Sequence, residues 1–257
     1  MITSTHNPLV QRIRALQTRR RDREREGRFV LEGVRLLEEA CAARVGLEAV
    51  LHVTDLDPRS VAALAAAERA GARPVPVTPA VLRACADTET PAGLLAIAEQ
   101  PVPTPPTAPR AVLVLDGLAD PGNVGTLLRT AAAAGLDAVY LAPGTVDAYS
   151  PKVVRAALGA HFRVPVLTFD WAEPPAAWSA LRLYVADMDQ GPAYDSVDWR
   201  APAGLIVGAE ASGASAAARA SAISAVHIPM PGGAESLNAA VAGSVIIFEL
   251  ARQRRTT

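Results

Sequence analysis

Short apolar runs alternate with helically spaced apolar positions along most of the chain, which predicts alternating strands and helices. Residues 111–115 form a continuous apolar run, typical of a strand that is buried on both faces. Further strands are predicted at 138–141, 164–169, 183–186, 205–207 and 226–228. Helices are predicted at 124–134, after Ser150-Pro151, and at 172–181, 214–222 and 236–252. This order favours an α/β domain whose mostly parallel sheet carries helices on both faces.

The N-terminal part repeats the same alternation with shorter elements. Asn7-Pro8 and Asp57-Pro58 pair a strong N-cap residue with proline at the first helical position, so each marks the start of a helix. Two more helices are predicted at 33–43 and 79–85, and strands are predicted at 28–31, 49–53, 74–77 and 93–98. We expect a small α/β layer domain.

A proline-rich segment separates the two parts. Residues 101–109 hold five prolines, which exclude a helix or a central strand and predict an extended, semi-rigid linker. The predicted organisation is therefore a first domain over 1–99, a linker over 100–109 and a second domain over 110–257.

Composition narrows the class of protein. Half of the residues are hydrophobic, which is enough for a proper core, and the net charge is −1. No apolar run approaches the roughly 18 residues of a membrane span, and the N-terminus lacks the apolar core of a signal peptide. We therefore expect a cytoplasmic protein without a membrane partner. Neither the cysteines nor the histidines show the spacing of metal ligands, so no metal site is predicted.

Charge is distributed unevenly. Eight arginines lie between positions 12 and 28, against three acidic residues. Such a cluster can neutralise RNA phosphates, and the candidate RNA-binding residues are Arg12, Arg19, Arg20, Arg21 and Arg23. The alternative is a solvated helix face whose charges pair internally.

Polar residues mark two loops at predicted strand ends, where parallel sheets bind ligands. The first loop carries Asn123 and Arg129, which can orient a neighbouring side chain and bind a phosphate or carboxylate. The second carries Glu210 between Gly208 and Gly213. Glu210 either complements a helix dipole or holds a ligand or a cation such as Arg129. Neither loop has the Gly pattern of a dinucleotide fold or a P-loop.

A third loop runs from Ile228 through a Gly/Pro stretch into an apolar helix. Ser236 is the expected N-cap of this helix. Asn238 is a polar residue in an otherwise apolar segment, where it needs a partner, and this favours a functional role.

Together the three loops resemble the motifs of the SpoU (TrmH-type) branch of the SPOUT methyltransferases. Its N-x-G-x-x-x-R, G-x-E-x-x-G and I-P-M-x-G-x-x-x-S-L-N patterns match in order and separation; the matching residues are Asn123, Gly125, Arg129, Gly208, Glu210, Gly213, Ile228, Pro229, Met230, Gly232, Ser236, Leu237 and Asn238. Ala214 and Ala239-Ala240 depart from the residues that family members often carry. The N-terminal part is similar to the L30e-like RNA-binding domain often fused to this family.

The resemblance implies a deep trefoil knot, a homodimer with its site near the subunit interface, and 2′-O-methylation of RNA ribose from S-adenosyl-L-methionine. It implies a cofactor site formed by Val207, Gly208, Glu210, Ile228, Met230, Gly232, Ser236, Leu237, Asn238 and Ala239. The implied catalytic residues are Arg129, Asn123, Glu210, Ser236 and Asn238. Our hypothesis is that Arg129, held by Asn123 and Glu210, stabilises the developing alkoxide and the adjacent phosphate.

The substrate and two other classes of function remain open at this point. By analogy, the N-terminal domain favours 23S ribosomal RNA over transfer RNA. A non-catalytic RNA-binding protein on the same scaffold is an alternative that cofactor binding would decide. A nucleotide-binding dehydrogenase is disfavoured because its glycine fingerprint is missing.

Overall fold

The computed structural model describes residues 1–255, which form strands and helices in alternation through most of the chain. The strands are β1 (Arg28–Glu32), β2 (Leu47–His52), β3 (Arg73–Pro76), β4 (Leu94–Glu99), β5 (Ala111–Asp116), β6 (Ala138–Leu141), β7 (Val166–Thr168), β8 (Arg182–Asp187), β9 (Ala203–Gly208) and β10 (Ser224–His227). The helices are α1 (Pro8–Thr18), α2 (Arg20–Glu26), α3 (Val34–Ala42), α4 (Pro58–Arg69), α5 (Pro79–Cys85), α6 (Pro121–Ala134), α7 (Pro151–Ala157), α8 (Ala216–Ser221) and α9 (Ala239–Arg255).

Two compact units account for the described chain. One comprises Met1–Val102 together with Asp147–Phe162, and the other comprises Pro103–Val146 together with the chain from Arg163 onward. The segment Asp147–Phe162 thus packs with the N-terminal residues, although the sequence pattern placed it in the second domain. The linker at 100–109 stays a prediction.

The first unit contains a four-stranded mixed sheet in the order β1-β4-β2-β3. Strand β4 runs antiparallel to β1 and β2, whereas β2 and β3 are parallel. Both predicted helix starts are confirmed, because Asn7 accepts a hydrogen bond from the Leu9 N–H and Asp57 accepts from Arg59 and Ser60. The hydrophobic pattern missed α2, since its seven residues are all charged and offer no apolar periodicity.

The second unit contains a six-stranded sheet in the order β10-β8-β9-β5-β6-β7, and every neighbouring pair is parallel. All residues of the central strands β5 and β9 are buried, as the apolar runs predicted. From β5 the chain continues to β6 and β7 on one side, and from β9 it continues to β10 on the other. Because the connections diverge there, a crevice forms beyond the carboxyl ends of β5 and β9.

Two helix predictions in this unit were wrong. Residues 172–181 form only a 3-10 turn at Ala176–Ala180, since Pro174 and Pro175 each disfavour the helical conformation of the residue before them. The last helix begins at Ala239 instead of Ser236. It packs so closely on α6 and β9 that a Cβ atom at Gly243 would lie 2.7 Å from Leu127 Cδ2.

Within residues 1–255, no helix is long and apolar enough to cross a membrane, and no group of three or more His, Cys, Asp or Glu residues could hold a metal ion. The trefoil knot stays a prediction.

Candidate active site

The three loops identified in the sequence meet at the carboxyl edge of the six-stranded sheet. Asp116 and Gly208 are register partners at the ends of β5 and β9, so the first two loops leave the sheet side by side. Helix α6 begins beside them, with the Asp120 side chain accepting from the Asn123 N–H at 2.7 Å. The loop after β10 returns to the same edge before α9 starts.

One side chain from each loop contributes to a hydrogen-bond chain. Asn238 Oδ1 accepts from the backbone N–H groups of Ala240 (2.9 Å) and Val241 (3.2 Å), so Asn238 is the N-cap of α9. Its Nδ2 donates to Asn123 Oδ1 at 3.0 Å, and Asn123 Nδ2 donates to the Glu210 carboxylate.

The direction of this chain is determined at its helical end. Backbone N–H groups can only donate, so the oxygen of Asn238 must accept and its amide nitrogen must donate onward. The same reasoning orients Asn123, which leaves Glu210 as the final acceptor. The hydrogen-bond chain therefore uses one side chain from each motif, and it requires an amide at Asn238, an amide at Asn123 and a carboxylate at Glu210.

Asn238 replaces Ser236 in the capping role that the sequence analysis gave to Ser236. The Gly/Pro stretch extends further than expected, and Gly233 adopts a φ of +76°, which directs the chain away from a helix. Ser236 is exposed and has no hydrogen-bond partner within residues 1–255, although it lines the cavity described next.

A cavity of about 560 Å³ lies beside the hydrogen-bond chain. Its apolar wall is formed by Val207, Ile228, Met230, Leu237, Ala242 and Ile246. Expected cofactor residues Gly208, Glu210, Ser236, Asn238 and Ala239 also line it, whereas Gly232 does not. The volume falls within the range of small-molecule sites, roughly 300–1,000 Å³.

Backbone packing at Gly208 shapes the loop below this cavity. A Cβ atom there would lie 2.2 Å from the Ala214 nitrogen, so only glycine allows the chain to fold back so tightly. Ala209 and Gly213 close the loop with two backbone hydrogen bonds of 3.1 and 2.8 Å. The loop 208–213 therefore presents its backbone to the cavity in a compact turn.

Two charged residues of the cavity wall were missed by the sequence analysis. Arg219 Nη2 lies 2.8 Å from Asp187 Oδ2. Burial raises the pKa of Asp187, but hydrogen bonds from Arg219 and from the backbone of Asp189 and Met188 outweigh it, and the net pKa lies below its ordinary value. The available signal was the position of Asp187 at the carboxyl end of an apolar strand, the same signal that marked the other loops.

Arg129 does not join the cluster. Its side chain is exposed on α6, does not line the cavity, and has no hydrogen bond or ion pair with any residue of the described chain. The hypothesis that Asn123 and Glu210 hold Arg129 was therefore wrong for the single chain, because Glu210 is engaged by the Asn123 amide instead.

Most of the arginine cluster is engaged in ion pairs, some within the cluster, as the alternative interpretation expected, and others with acidic residues elsewhere in the chain. Arg12 forms ion pairs with Glu26 and Glu48, and Arg20 pairs with Glu24. Arg23 is 4% exposed and is removed from the RNA-binding candidates.

Two candidates have an exposed guanidinium without a close ion pair, whereas the exposed Arg20 is paired with Glu24. Arg21 has no polar partner within residues 1–255, and Arg19 has only a long contact of 3.7 Å with Asp22. The available cationic surface is therefore smaller than the sequence suggested.

Comparisons with known proteins identify the class to which this geometry belongs. A model of the SpoU rRNA methylase family matches residues 110–248, and a model of the MRM3-like substrate-binding domain matches residues 7–96. The chain belongs to the SpoU rRNA methylase family, and the fold and cofactor class expected from the three motifs are confirmed.

Several relatives align along nearly the whole chain. The 23S rRNA (guanosine(2553)-2′-O)-methyltransferase RlmP of Bacillus subtilis is 34% identical over 251 residues, covering 97% of this chain and 98% of that protein. A crystal structure of an RNA 2′-O ribose methyltransferase superposes with a TM-score of 0.84 at 35% identity, covering 99% of both chains. AviRb from Streptomyces viridochromogenes, in complex with AdoMet, gives a TM-score of 0.86 at 28% identity, covering 97% of this chain and 99% of AviRb.

Proposed function

We propose that this chain transfers a methyl group from S-adenosylmethionine to a ribose 2′-hydroxyl of 23S ribosomal RNA. The hydrogen-bond chain from Asn238 through Asn123 to Glu210 carries the proposal, because it joins the three family motifs beside one cavity. Family membership supports the reaction. The substrate is supported by the relative RlmP, which modifies 23S rRNA and matches both units of this chain.

The cavity fits the proposed cofactor in size and in chemistry. Its apolar wall suits an adenine ring, and its carboxylates suit the positive charges of a sulfonium and an ammonium group. Bound there, S-adenosylmethionine supplies an electrophilic methyl group. The contribution of the protein is then mainly to position the hydroxyl, because little covalent help is needed for a one-step displacement.

We assign Arg129 to the RNA. A guanidinium stays protonated in proteins, so it cannot serve as the proton acceptor, but it can bind a phosphate or stabilise an oxyanion with its planar pair of donors. Its exposure and its lack of a partner in the described chain leave these donors available. Asn123 and Glu210 orient the adjoining loops.

We further propose that the active form is a homodimer that covers one face of α9. Val241 and Phe248 are each 48% exposed and lie seven residues apart, so they share one side of the helix, and Leu237 precedes them at 38%. A second copy of this face would bury the stripe. The molar mass of Phe248→Glu, measured by light scattering, tests the dimer. The matched control is Val61→Glu, because Val61 is an exposed apolar residue of α4. We expect Phe248→Glu alone to yield monomers.

The first test of the function is methyl transfer. Purified protein is incubated with labelled S-adenosylmethionine and either unmodified 23S rRNA or bulk transfer RNA, and the product is mapped by resistance to alkaline cleavage. We expect label at one alkali-resistant position in 23S rRNA. Arg129→Ala should lose it, whereas Arg182→Ala, an exposed arginine at the opposite end of the sheet, should keep it.

The alternatives have distinct outcomes in the same assay. Label on transfer RNA alone would keep the reaction and overturn the substrate. An absence of label together with an absence of cofactor binding would favour a non-catalytic RNA-binding protein.

A further inference from the structure

Asp116 is a buried carboxylate next to the candidate site, paired in register with Gly208, and neither the motifs nor the proposed function uses it. It is the last residue of β5 and is 4% exposed. Within the described chain its side chain forms no ion pair with an arginine or lysine, and its partners are two N–H donors. Because burying a carboxylate costs free energy unless the group is well hydrogen-bonded, its partners indicate its role.

The first partner lies just after the loop 208–213, which lines the cavity. The Ser215 N–H donates to Asp116 Oδ2 at 2.6 Å. Ser215 lies two residues after Gly213, and Ala214 between them supplies the nitrogen that approaches Gly208. The carboxylate therefore anchors the returning arm of the loop 208–213, while the Asp116–Gly208 register pair anchors its outgoing arm.

The second partner comes from a different part of the sheet. Trp171 lies beyond the end of β7, and its indole Nε1–H donates to Asp116 Oδ1 at 2.8 Å. The indole is itself held edge-on against Phe169, with ring centroids 4.8 Å apart. Each carboxylate oxygen thus accepts from a donor that cannot act as an acceptor.

This arrangement specifically requires a carboxylate. Asparagine offers one acceptor oxygen, and its NH₂ group would face either the indole N–H or the backbone N–H. One donor would lose its partner in a buried site, and two donors would oppose each other. Asp116→Asn therefore releases either the loop 208–213 or the loop after β7, and it leaves the side-chain volume almost unchanged.

We propose that Asp116 is a positioning residue that holds the loop 208–213 in its cofactor-binding conformation. The inference rests on the proposed assignment of the 560 Å³ cavity as the S-adenosylmethionine site. Asp116 does not line the cavity, so it acts through Ser215 and the loop backbone. Trp171 links the same carboxylate to the loop after β7, and its fluorescence emission reports on this hydrogen bond.

The test compares Asp116→Asn with the parent protein by calorimetric titration with S-adenosylmethionine. We expect the Kd to rise about 10-fold or more, as loss of a charge-assisted hydrogen bond implies. The kcat at saturating cofactor and the KM for RNA should change less than about three-fold. Trp171 emission should shift in Asp116→Asn, measured in a Trp178→Phe/Trp199→Phe background.

Two further variants isolate the Ser215 N–H. Ser215 has a φ of −62°, which proline adopts, so Ser215→Pro removes the donor with little backbone strain. Ser215→Ala removes the hydroxyl that caps α8 but keeps the N–H, and it is the matched control. We expect only the proline variant to weaken binding. The double variant Asp116→Asn/Ser215→Pro should have about the same Kd for S-adenosylmethionine as whichever single variant binds it more weakly, because both substitutions break the same contact.

Each outcome separates the positioning role from the cavity assignment. Ala242→Phe fills the cavity from α9 and should abolish binding. If Ala242→Phe abolishes binding of S-adenosylmethionine while Asp116→Asn binds it with the parent's Kd, the positioning role is overturned and the cavity assignment stands. If Ala242→Phe binds normally, the cavity assignment itself fails. Should Asp116→Asn not fold, equal binding by Ser215→Pro and Ser215→Ala would overturn the role.

Discussion

Replacing Arg23 by leucine should destabilise the folded protein but leave the protein's affinity for RNA unchanged. The Arg23 guanidinium donates through Nε and Nη2 to Asp147 Oδ2, at 2.9 and 2.5 Å. Its Nη1 donates to the carbonyls of Leu16 and Gln17 at 2.7 and 3.2 Å. The side chains of Arg23 and Asp147 are only 5% and 15% exposed, so water cannot replace these bonds in the folded state.

The size of the effect follows from this burial. Removing one partner of a buried ion pair costs about 3–5 kcal/mol, because the remaining charge loses its compensation. A folded domain has a total stability of about 5–15 kcal/mol, so this loss is a large share of it. For a unit of this size the Tm should fall by roughly 10 °C or more.

The assay is thermal and urea unfolding followed by circular dichroism, with RNA affinity measured well below the transition. Arg21→Leu, an exposed change on the same helix, is the matched control and should alter stability by less than about 0.5 kcal/mol. Arg23→Leu/Asp147→Asn should be more stable than Arg23→Leu alone, since it removes the uncompensated charge. A stability loss below about 1 kcal/mol for Arg23→Leu, or a loss of RNA affinity equal to that of Arg21→Leu, would refute this reasoning.

Three further predictions concern the site, the RNA and pH. Asn123→Asp places a carboxylate against Glu210 and removes the hydrogen-bond donor between the two side chains, so cofactor affinity and turnover should both fall about 10-fold or more. The double variant Asn123→Asp/Glu210→Gln should recover part of this loss, because it restores a donor. Arg21→Gln should reduce the salt dependence of RNA binding by about 0.7–0.9 log units per log unit of salt, and an unchanged slope would remove this arginine from the RNA contact. Burial lowers the pKa of His161 to about 4, below its unfolded value of 6.5, so the unfolded state binds more protons between these values. Stability should therefore fall by about 3 kcal/mol as pH drops from 6.5 to 4, and His161→Phe should flatten this profile in unfolding experiments.

Local patterns in the sequence determined the elements and the family. The apolar runs over β5 and β9 are buried on both faces of a sheet and therefore carry their own signal. Helix starts at Asn7 and Asp57 are set by side chains two or three residues from the groups they bind. The three motifs could be read because each stands at a strand end, and parallel strands bring those ends together.

Contacts between residues distant in the chain were decided only by the tertiary structure. Arg23 and Asp147 lie 124 positions apart, so no local pattern could separate this buried arginine from its exposed neighbours Arg19 and Arg21. Helix α9 is capped by Asn238 rather than Ser236, because the Asn238 side chain can both cap the helix and reach Asn123, 115 positions away.

The same limit applies to Asp116, whose carboxylate accepts from Trp171 and from Ser215, 55 and 99 positions further along the chain. Strand order and sheet register bring those two donors to one carboxylate. Residue types at the strand ends already indicate which chemistry the site holds. The tertiary structure decided which of those residues meet, because hydrogen bonding and burial depend on distances that the chain closes only when the sheet is assembled.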